Sequence, residues 1–166
     1  MDIVFVYCVA LGGHRYDLHL VDAAKIYSWI YGMLSLSSIS TNSSLEQFKS
    51  DAGRLPQWFH SDFNGKLMSG NSLHWILSNG SDIIEASAGR QSSNVLAEHA
   101  WCTLIQMARA YITENQVGQE IWYFPVGHTT MMLNQVHGRL GLKSPHFLNS
   151  STMTNPTPRH SLNYTL

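Results

Sequence analysis

Residues 2–33 read DIVFVYCVALGGHRYDLHLVDAAKIYSWIYGM, and the way this stretch folds decides the architecture of the chain. Its first part, DIVFVYCVAL, is a continuous β-branched and aromatic run, suited to a strand buried on both faces, and Gly12 and Gly13 end it. A parallel sheet is the expectation. From Tyr16 onward apolar residues recur at Leu18, Leu20, Val21, Ala24, Ile26, Trp29 and Ile30. That spacing predicts a helix lying on a sheet, with Gly32 as its stop.

Working outward, MLSLSSIS alternates as a second strand would. SSLEQFKSDAG then offers a serine cap, an early Glu and a terminal Gly, the signature of a short helix. LPQWFHSDF returns to strand-like residues, SLHWILSNG predicts a helix closed by Gly80, and SDIIEASAG predicts a brief strand. A longer helix follows over residues 95–112, capped by Ser92, Ser93 and Asn94, with Glu98 near the positive end of its dipole. Leu96, Ala97, Ala100, Trp101, Leu104, Ile105, Met107 and Ala108 give it apolar residues on nearly every side, so it needs cover all round. Alternating strand and helix signals predict an α/β fold with crossover helices. Beyond Gln116 the character changes: no acidic residue follows Glu120, and the last stretch is rich in Ser, Thr, Asn and Pro. The predicted organisation is an α/β unit over residues 1–116 and a short, divergent and irregular C-terminal segment over 117–166.

At 166 residues the chain is long enough for one core and too short for two full-sized domains. Its charged share, 13%, is about half the usual value, so solubility rests on Ser, Asn, Thr, Gln and His. A net charge of -1 and a pI near 6.7 show no electrostatic footprint for nucleic acid or an anionic membrane, and neither partner is expected. Cys8 and Cys102 have no CxxC or zinc spacing and read as buried thiols of a reducing compartment. The apolar start lacks a basic leader and is too short to span a bilayer, which predicts a cytoplasmic protein.

LPQWFHSDFNG followed by SDIIEASAGRQSSNVLAEHAWCTLIQMARAY resembles the substrate-binding domain of the D-isomer-specific 2-hydroxyacid dehydrogenases. Leu55, Trp58 and Gly65 carry the first part of the resemblance, and Gly89, Ala97, Glu98, His99 and Arg109 the second. It covers roughly residues 1–115, and it implies a flavodoxin-like parallel sheet whose long helix crosses to a coenzyme domain. Glu98 and His99 would cap and orient that junction. The implied activity is hydride transfer between a small 2-hydroxy or 2-keto acid and NAD or NADP. By motif position Asn64, Gly65 and Lys66 would bind the substrate carboxylate, and His146, in KSPHFLNSST, would be the acid/base residue.

The coenzyme half is where the pattern departs. Ile121 to Phe124 offer a strand, yet Pro125, Val126, Gly127 and His128 keep one glycine of the GxGxxG turn, and about fifty residues remain where a coenzyme domain needs well over a hundred. No carboxylate follows Glu120 to partner His146. The expectation is therefore a truncated or degenerate dehydrogenase relative, without a cofactor-binding residue, without independent activity, and with no cofactor at all if the domain is missing. The alternative from another class is a non-catalytic α/β interaction module pairing through the 95–112 helix, as a homodimer or with a partner. Two weaker constellations complete the reading. His14, Asp17 and His19 lie close together, but no second ligand cluster supports a metal, and none is expected. Cys102 with His128 would suit a thiol hydrolase only if Cys102 left its apolar mid-helix setting.

Overall fold

The computed structural model describes residues 1–6, 8–61, 70–85 and 95–139. Its elements run β1 (Asp2–Phe5), β2 (Tyr16–Asp22), β3 (Tyr27–Met33), α1 (Ser38–Ala52), β4 (Trp58–Ser61), α2 (Gly70–Ser78), β5 (Asp82–Glu85), α3 (Val95–Glu114), a single 3-10 turn (Gln119–Ile121) and α4 (Tyr123–Arg139). The chain is a mixed α/β domain with four helices among the described residues.

Residues 2–33 form an antiparallel meander, not a parallel strand followed by a helix. Asp2 pairs with His19 and Phe5 with Tyr16 across β1 and β2, and Tyr16 pairs with Met33 and Asp22 with Tyr27 across β2 and β3. The predicted helix fails at Asp22. Its carboxylate accepts from the backbone N–H groups of Ala24 and Lys25, and its carbonyl accepts from Ile26, which sits at φ 53°. This side-chain-closed turn reverses the chain where helical periodicity would carry it on. Gly12 and Gly13, at φ 106° and 87°, make the earlier reversal. The strand predicted over MLSLSSIS is likewise absent: Met33 ends β3, and Ser37 caps α1 by accepting from the Ser40 N–H at 3.2 Å.

Parallel pairing is confined, among the described residues, to β4 and β5, with Trp58 opposite Asp82 and Ser61 opposite Glu85. The flavodoxin-like parallel sheet is thus corrected to a mixed arrangement in which three antiparallel strands lead the fold. The amino nitrogen of Met1 donates to the carbonyl of His60, tying the start of β1 to β4.

Helices cover both faces. On one, Leu18, Leu20 and Met33 pack with Leu45 and Phe48 of α1, Phe59 of β4 and Ile76 of α2. On the other, Ile30 packs with Trp101, Ala108, Trp122 and Val126. β2 alternates polar Asp17 and His19 with apolar Leu18 and Leu20, the leucines packing toward α1 and the His19 ring toward α3. Asn134 fixes α4 to the edge of β3 by exchanging two hydrogen bonds with the Ser28 backbone, at 2.9 and 2.8 Å. α4 replaces the strand expected over residues 121–124. Pro125 lies in its first turn, where no intrahelical donor is required.

The 95–112 helix is covered within the chain along one side: Ala97, Leu104 and Ala108 are buried against β2 and α4, while Leu96, Met107 and Tyr111 are exposed together with Thr103, Gln106, Arg109 and Ala110. No helix among the described residues is long and apolar enough to cross a membrane.

Candidate active site

The polar groups that the fold collects lie on the face of β1 and β2 turned toward α3. In an antiparallel pair, directly opposed residues share a face, so Asp2 stands beside His19, and Val4 beside Asp17. His19 is fully buried, and neither ring nitrogen has a hydrogen-bond partner. Burial, with the neighbouring Met1 ammonium second, holds its pKa down at about 4, so the ring is neutral at physiological pH. Asp17 is fully buried too, with both carboxyl oxygens unpartnered, and burial pushes its pKa up to about 8.

α3 closes over this face. The Trp101 ring lies against that of His19, centroids 5.9 Å apart. Glu98 precedes Trp101 by three positions, one helical turn, and is exposed. Asp2 is thus paired with the strand residue against which Trp101 of α3 packs. The Met1–His60 bond sets the start of β1 beside the end of β4, and the next residue after β4 in sequence is Asp62, outside the described residues. Asp2 is half-buried, neither sealed in the core nor free in solvent. Asp2 offers a half-buried carboxylate on β1 and Glu98 an exposed one on α3, both hard oxygen donors.

At the other end of β2, His14 stacks on Tyr123 with centroids 4.8 Å apart, and burial lowers its pKa. The Tyr123 hydroxyl oxygen accepts from the Gly32 N–H at 3.1 Å, and burial raises the phenol's pKa. His14, Asp17 and His19 do not form a ligand set: no group of three His, Cys, Asp or Glu side chains able to hold a metal occurs among the described residues.

Of the residues singled out from sequence, Asn64, Gly65, Lys66 and His146 lie outside the described residues. Cys102 is exposed and not the core thiol expected; it is on the outer side of α3. His128 of α4 is exposed and has its ring near Tyr111. Sequence reading gave Glu98 a capping role and passed over Asp2. Only the β1–β2 register, unreadable once residues 16–32 were taken as a helix, connects the two.

The described elements run as an antiparallel three-strand meander followed by a helix-linked parallel pair, with helices on both faces. No protein-family model matches the chain, and no curated protein matches it. Among solved structures it is similar to the HTLV-2 integrase catalytic core domain in complex with magnesium, in its trimeric form, with a TM-score of 0.62, 13% identity, and coverage of 81% of this chain and 83% of that one. It is also similar to a chain of the simian T-cell lymphotropic virus intasome in complex with PP2A regulatory subunit B56 gamma, with a TM-score of 0.61, 15% identity, and coverage of 75% of this chain and 45% of that one.

These likenesses overturn the dehydrogenase resemblance, and with it the 2-hydroxy acid substrate and the oxidoreductase activity. The motifs behind it were a Trp-bearing strand, a glycine and an Ala-Glu helix. They are present as β4 and α3, but such pieces recur wherever a strand and a helix alternate. The nicotinamide expectation rested on that resemblance alone, and the neighbour is a core domain in complex with magnesium. The exclusion of nucleic acid also falls, because net charge measures a basic surface and is blind to a carboxylate site that meets a polyanion through a divalent cation.

Proposed function

We propose that the chain is a nucleic-acid phosphoryl-transfer core of the integrase type, with Asp2 and Glu98 as metal-binding carboxylates. The observation that supports it is that Asp2 pairs with His19, whose ring packs against Trp101, one turn along α3 from Glu98. It is supported by a fold shared with a core domain solved with magnesium.

The donor set fits that ion. Magnesium is held by one or two carboxylates, retains several waters and takes its remaining ligands from substrate phosphate. Exposed Glu98 and half-buried Asp2 leave room for such a substrate. When bound, magnesium supplies the charge that stabilises a phosphodiester as it exchanges one oxygen for another. The chain's own parts do the positioning. β1 fixes Asp2 through its ladder with β2, and α3 fixes Glu98 through the buried Ala97, Leu104 and Ala108.

The test is incubation of the protein with end-labelled duplex oligonucleotides and magnesium or manganese, scoring cleavage and strand joining on denaturing gels. The expected result is metal-dependent product that disappears in Asp2→Asn and in Glu98→Gln. Product formed equally by both variants, or in the presence of excess chelator, refutes the assignment.

A further inference from the structure

His19, like Asp17 two residues before it, is fully buried without a hydrogen-bond partner. Almost all buried polar side chains have a hydrogen-bond partner, yet both nitrogens of this fully buried imidazole have none. Packing alone does not call for an imidazole there. Leucine fills a similar volume without the desolvation cost of two unpaired nitrogens, about 1–3 kcal/mol each. Its neighbours are specific. Asp2 is its cross-strand partner on the same face, at the separation where opposed side chains touch, and Trp101 covers the ring one turn beyond Glu98. An unsatisfied donor held rigidly beside a carboxylate is the arrangement by which an outer group orients a metal ligand.

We propose that His19 is a positioning residue for Asp2: on binding of a divalent cation its ring supplies an N–H to one oxygen of the Asp2 carboxylate and leaves the other to the cation. This rests on the reading of Asp2 and Glu98 as metal ligands. Stability given up at His19 without metal is then recovered as metal affinity.

The two roles separate in a binding experiment on the whole chain without nucleic acid. Manganese affinity is measured by electron paramagnetic resonance of the free ion, beside thermal melting, for the wild type, His19→Leu and His19→Gln. His19→Leu is expected to bind manganese 10- to 100-fold more weakly while melting no lower than the wild type. His19→Gln, which keeps a side-chain N–H, is expected to stay within about threefold of the wild type, as conservative rescue requires. Should the leucine variant misfold, the glutamine variant still decides, because affinity reduced tenfold in a folded His19→Gln overturns the proposal. Undiminished affinity in a folded His19→Leu overturns it as well and leaves the Asp2–Glu98 site standing. A wild type that binds no manganese at millimolar concentration removes the site and the positioning role together.

Discussion

Replacing Asp17 with Asn is expected to stabilise the protein, by an amount that grows with pH. The carboxyl is fully buried without a hydrogen-bond partner, and its pKa is raised from 3.8 to about 8. Because the folded value is the higher one, the unfolded chain releases this proton first. The stability linked to it is whole below pH 3.8 and is lost as pH rises to about 8. His19 works in the opposite sense: its folded value of about 4 lies below the free value of 6.5, so stability is whole above pH 6.5 and is lost as pH falls toward 4. Each pH unit is worth about 1.4 kcal/mol per group. Between pH 4 and 6.5 the two slopes cancel, and between 6.5 and 8 the wild type is expected to lose about 2 kcal/mol. Asp17→Asn leaves the His19 slope alone. That variant should be flat above pH 6.5 and lose roughly 3 kcal/mol on acidification from 6.5 to 4. Its advantage over the wild type should rise from near zero at pH 4 to on the order of 5 kcal/mol at pH 8. Urea unfolding followed by tryptophan fluorescence, repeated from pH 4 to 9 with the slope m checked for constancy, measures both curves. A difference between the two proteins that does not change with pH refutes the buried-carboxyl account.

Three further substitutions probe the packing that holds the site. Asn134→Leu strips both hydrogen bonds from the Ser28 backbone and should cost about 3 kcal/mol in chemical denaturation; an unchanged midpoint would mean α4 does not anchor β3 in solution. Gly32→Ala would place a methyl 2.8 Å from the Tyr123 ring and 2.9 Å from the His14 ring, and a loss of about 1–3 kcal/mol is expected, read as a lower melting temperature. Ser37→Ala removes the α1 cap and should cost about 1 kcal/mol by the same measure, with no change in metal binding.

Much of the middle of the fold was legible from residue pattern. The helix closed by Gly53 at φ 76°, the strand bearing Trp58, the helix closed by Gly80 at φ 77°, and the long helix from Val95 all lie close to where caps and periodicity place them. The N-terminal third was not, for a physical reason. β2 does alternate polar Asp17 and His19 with apolar Leu18 and Leu20, but the helical spacing of the apolar residues from Leu18 to Ile30 outweighed that short period, and nothing in it shows that both faces are buried. The turn at Asp22 hides inside DAAK, which reads as good helix sequence. The candidate site was less legible than the fold. Glu98 looks like an ordinary helix-dipole acid, and Asp2 like a polar residue ahead of an apolar run, until the strand register pairs Asp2 with His19, against which Trp101 of α3 packs. Short motif matches drew attention instead to Asn64, Gly65, Lys66 and His146, none of which is among the described residues.

The central claim is that the fold gathers the Asp2 and Glu98 carboxylates around one divalent cation, and crystals grown with manganese test it most directly. Anomalous scattering should show a peak bonded to an oxygen of each carboxylate, at metal-ligand distance. A peak at other residues only, or none at saturating manganese with both side chains ordered, would contradict it.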